Sequence, residues 1–283
     1  MKYFKILIGV IVTVSLVGAG HDVAQAGDPI YVGKRVAGRT PLDQIDHAPW
    51  DALLRKYVDK DGYVNYTAWH ASDADRQSLS RYLNALSQAD PRARTSKDAK
   101  LAFWINAYNA VTVHGILREF PTTSIRNHTA RLFGYNIWKD LQIYVGGKPY
   151  SLENIEHQHL RKMGEPRIHF AIVCASIGCP RLLNQAYTTS DVQDQLEANA
   201  KDFFSRRQNF RYDPQARTFH LSAILNWFDA DFGAGKPAQL KTIAKWLPND
   251  AARTAALTNA VGISYLDYNW NLNDQKSRRT ARR

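Results

Sequence analysis

The chain has 283 residues, a formal net charge of +11, and 45% hydrophobic and 22% charged residues. Such fractions exclude wholesale disorder, and the length suits one domain large enough to fold without disulfide staples. Five of the cations, Lys276, Arg278, Arg279, Arg282 and Arg283, crowd the C-terminus.

Lys2 and Lys5 precede an apolar run from Ile6 to Gly20, and Ala24-Gln-Ala26 follows with the small residues of a cleavage site. Residues 1–26 are therefore predicted to be a cleavable secretory signal peptide. Its core of roughly 15 residues is shorter than the ~20 needed to span a bilayer. A periplasmic or secreted protein is expected, which also removes it from most nucleic acid. Residues 27–49 carry glycines and prolines without periodicity and read as an N-terminal arm. Residues 50–273 read as one globular domain. Residues 274–283 read as a solvated basic tail, with at most weak contact to anionic surfaces.

Trp50, Leu53, Leu54, Tyr57 and Val58 recur at helical spacing, and Asp59 to Gly62 breaks the pattern. After a brief alternation over 63–66, a second helix is predicted over 67–87. Ser96 is placed to cap a helix reaching Glu119, apolar on every side and so expected in the middle of the domain. Gln142 to Tyr150, with Gly146-Gly147 at its turn, predicts a hairpin. Ser151 caps a short helix ending near Met163; 167–173 reads as a buried strand and 175–184 as a loop. Ser190 to Gln193 resembles a capping box opening a helix to Phe204. A second hairpin surrounds Pro214, Ser222 begins a helix through Phe228, two short helices flank Pro248, and a last strand spans 263–268. Strands meet in hairpins rather than alternating with helices. The expected class is therefore α+β: mainly helical, with a small hairpin-built sheet and a central buried helix.

Chemistry-bearing residues concentrate between 150 and 180. The apolar run His169-Phe-Ala-Ile-Val173 leads into Cys174-Ala-Ser-Ile-Gly-Cys179, so a thiol stands where a scaffold element meets a loop. Cys174 is a candidate nucleophile and His169 its candidate base. Strict strand geometry puts the two on opposite faces, so direct pairing needs a bulge or an early turn; His157 is the reserve. In an oxidising compartment Cys174 and Cys179 are equally candidates for a disulfide, and an inert buried thiol is the third reading. On an ideal helix Glu153, Glu156, His157, Leu160 and Arg161 share an arc of about 140°. Glu156 would orient His157 or pair with Arg161, and Arg161 would hold an anionic substrate group. His157 and His159 diverge by about 200° on such a helix, so they do not chelate one metal together. Asn106 and Asn109 lie on the most apolar helix. Each either satisfies loop backbone or reaches the cleft, to hold a substrate carbonyl or the catalytic histidine. Glycine-rich phosphate loops, Gly-x-Ser-x-Gly and His-Glu-x-x-His are missing from the sequence.

Ala102 to Asn109, Leu152 to His157 with Leu160-Arg161, and Pro166 to Pro180 together resemble the domain of unknown function 547 family of exported bacterial proteins and plant proteins. Weaker likenesses, at Gly62 to Tyr66, Leu221 to Trp227 with Asp231-Phe232, and Leu266 to Leu272, extend the resemblance from about Trp50 to Asn273. It implies a single domain and the relevance of Asn106, Asn109, Glu156, His157, Arg161, His169, Cys174 and Cys179, and assigns them no roles. The expectation is an envelope enzyme, a cysteine-dependent hydrolase or acyl transferase acting on an amide or thioester, with no metal or organic cofactor. The alternative is a non-catalytic, disulfide-pinned binding or structural module.

Overall fold

The computed structural model describes residues 28–130 and 135–281; the expected signal peptide lies outside them. The helices of the N-terminal half are α1 (Ala48–Tyr57), α2 (Tyr66–Ala71), α3 (Asp73–Leu86) and α4 (Lys97–Glu119), followed by the short α5 (Ile137–Asp140) and α6 (Leu152–Asn154). Beyond them come α7 (Val192–Ser205), α8 (Ile224–Trp227), α9 (Gly235–Ile243), α10 (Asp250–Leu257) and α11 (Gln275–Ala281). The strands β1 (Ile30–Val32), β2 (Leu141–Val145) and β3 (Lys148–Ser151) form one sheet; β4 (Phe210–Asp213), β5 (Thr218–Ser222) and β6 (Gly262–Leu266) form another. The molecule is a mainly helical α+β domain. No helix among the described residues is long and apolar enough to cross a membrane.

Helix α4 is the axis of the fold. Ser96 Oγ accepts from the Ala99 amide at 3.0 Å and fixes its start. Every residue from Leu101 to Val113 is buried, so the other elements wrap it on all sides. Each large apolar side chain removed from water here stabilises the fold by roughly 2 kcal/mol.

The helix expected over 67–87 is two helices. The Ser72 side chain accepts from the Asp75 amide and starts α3 after α2 has ended, so a polar residue inside the periodic run acts as a cap. Both predicted hairpins form, and each gains a third strand in parallel. β1 pairs with β2 through Tyr31↔Gln142, and β6 pairs with β5 through His220↔Ser264. The N-terminal arm is thus part of the domain: besides β1, the Arg39 and Thr40 amides donate to the Gln88 carbonyl. The basic tail departs from expectation as well. Residues 275–281 are helical, Gln275 Nε2 donates to the Tyr57 and Tyr63 carbonyls, and Arg278 pairs with Asp59 and Asp61.

Two apolar clusters fill the interior, one around α4 and one around Phe203, Phe204, Phe219 and Trp246. Ile168 and Ala171 belong to the first while Phe170 belongs to the second. The segment leading to Cys174 therefore runs along their seam.

Candidate functional site

The stretch read as a buried strand is no strand. Pro166–Phe170 is a 3-10 helix and the chain is irregular from there to Cys174. Without a sheet ladder its buried backbone groups need other partners, and amide side chains provide them. Asn199 Nδ2 donates to the Phe170 carbonyl (3.2 Å), Asn109 Nδ2 to the Ala171 carbonyl (3.0 Å), and Asn109 Oδ1 accepts from the Val173 amide (3.0 Å). The Cys174 amide donates to Cys179 Sγ at 2.9 Å. Helix α4 thereby clamps the backbone immediately before the thiol.

On the far side, Ala175 adopts φ 53°, a left-handed conformation that costs a non-glycine residue of order 1 kcal/mol or more. The loop is held in it by the 269–273 segment. Asn273 N donates to Ala175 O, Ile177 N to Asn271 O and Gly178 N to Asn269 O. A Cβ at Gly178 would stand 2.9 Å from Asn269 N, so glycine permits this close docking. Docking ends the last strand at Leu266, short of the predicted Tyr268, and brings the Tyr268 hydroxyl onto the thiol.

Cys174 is a half-buried residue, and its Sγ lies 3.0 Å from Cys179 Sγ, 3.0 Å from Tyr268 OH and 3.1 Å from Ser176 Oγ. The two sulfurs are not bonded to each other in this structure: their separation exceeds by about 1 Å the ~2.05 Å of a disulfide bond. All three neighbours carry a hydrogen, so all three can donate to a Cys174 thiolate. The Cys179 contact, joined by those of Ser176 and Tyr268, pulls the Cys174 thiol below its ordinary value against the opposing effect of burial. Burial pushes Cys179 well up. Cys174 is therefore the more readily ionised sulfur of the pair.

A cleft of about 180 Å³ opens beside this sulfur. Tyr108, Glu156, His169 and Cys174 all line it, under walls that include Trp138, Trp227, Phe228 and Trp270. His169 is almost fully buried and stacks on Phe228, with ring centroids 4.1 Å apart. Its Nε2 is 2.7 Å from Asp231 Oδ2. Asp231 also receives a two-pronged bond from Arg161, at 2.6 and 2.9 Å. Partial burial opposes ionisation of Asp231, but the bonds from Arg161 and His169 hold its carboxyl below the usual range. Burial pushes His169 down to about 4 despite Asp231, so the ring is neutral at pH 7 and Nε2–H is the donor. Nδ1, which makes no hydrogen bond to a described protein group, is the nitrogen free to accept a proton.

The helix beyond Ser151 changes character. After α6 the residues Ile155–Leu160 form a π-helical turn and Arg161–Met163 a 3-10 turn. The wider turn abolishes the expected common face. Glu156 lines the cleft and accepts from Tyr108 OH at 3.4 Å, whereas Glu153 and His157 are exposed. His157 Nδ1 meets Arg161 Nη1 at 2.9 Å, and His159 stacks on Trp104. Glu156 thus neither orients His157 nor pairs with Arg161. His157 does not line the cleft.

Burial pushes the Glu156 carboxyl up to about 7, outweighing the opposing hydrogen bond from Tyr108. The folded protein keeps this proton where an unfolded carboxyl, ordinary at 4.5, has lost it. Glu156 therefore favours folding below the unfolded value, and the contribution disappears as pH rises through about 7. Relative to Glu156→Gln, the native protein is expected to lose roughly 3 kcal/mol of unfolding free energy across that interval. Urea denaturation of both proteins at several pH values checks this; parallel profiles contradict it.

Asn106 and Asn109 resolve differently from the substrate-facing alternative. Asn106 Nδ2 donates to the Tyr187 carbonyl (2.8 Å) and its Oδ1 accepts from the Tyr187 amide (2.9 Å). Both groups of Asn109 are spent on the thiol segment. Neither amide is left to hold a substrate carbonyl or a histidine. Arg161 likewise serves Asp231 rather than standing open as an anion anchor. His169 and Cys174 line one cleft without a hydrogen bond between them. Sequence reasoning missed Asp231 and Tyr268; each lies in one of the weaker stretches of resemblance, which were the available signal. Among the described residues no group of three or more His, Cys, Asp or Glu side chains is arranged to hold a metal ion.

A thiol, a buried histidine bonded to Asp231 behind it and a carboxyl pushed up to about 7 define a candidate site for thiol chemistry at one cleft. Residues 91–204 match the family described as "Protein of unknown function, DUF547", and the chain carries a domain of that family there. The match contains every predicted site residue but ends before Asp231 and Tyr268, which complete the arrangement. No curated protein and no solved structure matches the chain.

Proposed function

We propose that this is an exported cell-envelope enzyme in which Cys174 is the nucleophile for hydrolysis or acyl transfer on an amide or thioester. The observation that carries the reading is the setting of Cys174: a half-buried residue lining an aromatic cleft, its Sγ ringed by three hydrogen-bearing neighbours, and sharing that cleft with a neutral His169 held by Asp231. Attack by sulfur on the carbonyl carbon gives an acyl-enzyme, the departing sulfur or nitrogen taking up the proton that Cys174 gives up. Water or an acceptor then releases the acyl group. His169 Nδ1 is the base for that step, and Asp231 stabilises the imidazolium formed. Glu156, protonated up to about pH 7, is the acid available to a leaving group. Export rests on the signal-peptide pattern of residues 1–26.

Incubation with butyryl-N-acetylcysteamine is expected to add one butyryl group, mapped by mass spectrometry to Cys174. Cys174→Ala is expected to reduce thioester turnover by at least about a thousandfold. An adduct on another residue, or undiminished turnover in the variant, contradicts the proposal.

The 3.0 Å contact between the sulfurs favours a second reading, in which they are oxidised and pin a non-catalytic binding or structural module. Protein from the periplasm would then be two hydrogens light, and replacing both cysteines would lower stability while ligand binding persisted.

A further inference from the structure

The walls of the cleft describe an occupant. Lysine, arginine and aspartate are missing from its lining, and its carbon-rich surface comes chiefly from Trp138, Ile172, Ile224, Trp227, Phe228 and Trp270. Its two ionisable side chains other than the thiols and tyrosines, Glu156 and His169, are each committed to a protein partner, Tyr108 and Asp231. A charged substrate group placed here would lose its hydration and find no opposite charge. The rings are mutually inclined: Tyr268 and Trp270 by 52°, Trp227 and Tyr268 by 49°, Trp138 and Trp270 by 76°. The two near-parallel pairs, Trp227 with Trp270 and His169 with Phe228, have centroids 5.7 and 4.1 Å apart, too close to admit a third ring between them. The outer rings are braced by cations: Arg126 Cζ lies 5.2 Å from the Trp270 centroid and Arg161 Cζ 5.3 Å from that of Phe228. Inclined, braced aromatic walls suit a chain that bends along them better than a flat group. An apolar cavity of roughly 150 Å³ takes a benzene ring, so one of about 180 Å³ takes about six to eight carbons.

We propose that the cleft selects an uncharged, saturated acyl chain of medium length, presented to Cys174 as a thioester. This rests on Cys174 being the nucleophile. In the transfer the Cys174 thiolate attacks the carbonyl carbon and the bond from that carbon to the leaving sulfur breaks. The electron pair departs with the leaving sulfur, which takes up the proton released by Cys174. The products are acyl-Cys174 and a free thiol, with no change of oxidation state. Water then cleaves the acyl-enzyme to a carboxylic acid and the regenerated thiol.

The test uses N-acetylcysteamine thioesters of acetate, butyrate, hexanoate, octanoate and succinate, and follows acyl-Cys174 formation by intact mass. The second-order rate should rise about fourfold per methylene, equivalent to about 0.8 kcal/mol each, and level off near eight carbons. The succinyl ester should react at least about thirtyfold more slowly than the butyryl ester. Trp227→Gln, at a side chain 46% exposed and so tolerant of substitution, should flatten the series. A rate independent of chain length, or a preference for succinyl, overturns the proposal. Hexanamide and octanamide, added to Cys174→Ala where the proposed nucleophile is absent, separate the two claims through quenching of tryptophan fluorescence. Length-dependent binding without acylation of the native protein upholds the apolar subsite and overturns the nucleophile. Acylation without length dependence does the reverse.

Discussion

Replacing Asn109 with alanine will lower the unfolding free energy by about 4 kcal/mol. The side chain is 1% exposed and satisfies two buried backbone groups at once, the Ala171 carbonyl and the Val173 amide. Each group left unpaired costs about 1–3 kcal/mol, and no neighbouring strand is available to take over, because the segment belongs to no sheet. For a domain of this size the melting temperature falls by roughly 8–16 °C. Asn106→Ala is the informative control: it also orphans a buried carbonyl and amide, both of Tyr187, and should destabilise by a similar amount. Only the Asn109 variant removes the clamp immediately before Cys174, so only it should also slow thiol alkylation under conditions where both variants are folded. A loss below about 1 kcal/mol for Asn109→Ala would show that the clamp is dispensable.

Asp231→Ala is expected to lower kcat for thioester hydrolysis about a hundred- to a thousandfold. Asp231 is the only hydrogen-bond partner of His169 among the described residues, and His169 sits in surroundings that already disfavour its charged form. Without the carboxylate the tautomer with hydrogen on Nε2 is no longer enforced, and the imidazolium formed on proton transfer loses its counter-charge. The same change leaves Arg161 without its partner, so stability falls too. Arg161→Gln separates the two effects: it breaks the ion pair but leaves His169 its acceptor, and should cost kcat less than about tenfold. The pH profile supplies a second readout. Neutral His169, pushed down to about 4, keeps the base competent throughout the physiological range, and deletion of Asp231 should shift the acid limb of kcat. Equal losses in the two variants, with an unmoved acid limb, would give Asp231 a purely structural role.

How far the chain could be read in advance varied with the range of the forces involved. Helix α4 was legible because its signals are local: Ser96 at the cap and an unbroken apolar stretch behind it. The burial of Asn106 and Asn109 followed from the same stretch, and the need for partners followed from burial. Arg167 to Val173 reads as a strand in the sequence because a short apolar run has no periodicity that separates a strand from a buried irregular segment. The amides that hold it come from α4 and α7, about 30 to 60 residues away. The parallel additions of β1 and β6 are equally long-range, and nothing in either strand names its partner. The π-helical turn defeated the helical-wheel argument for Glu156, His157 and Arg161, since a face predicted at a fixed angle per residue disperses when the angle changes. Cys174, His169 and Glu156 could be nominated from residue type and crowding. Asp231 and Tyr268 become site residues only when folding brings the 3-10 turn Asp229–Phe232 against His169 and the Tyr268 hydroxyl onto the thiol.

In the proposed mechanism everything depends on Cys174 being an accessible thiol that ionises more readily than its neighbour Cys179. The most direct measurement is the rate of iodoacetamide modification of the folded, unreduced protein as a function of pH, with the modified peptide identified. The predicted result is one carbamidomethyl group per chain, on Cys174, with a midpoint below the roughly 8.5 of an ordinary thiol and Cys179 unmodified until the protein unfolds. Modification that falls first on Cys179, or none at either sulfur after treatment with a reductant, would contradict it.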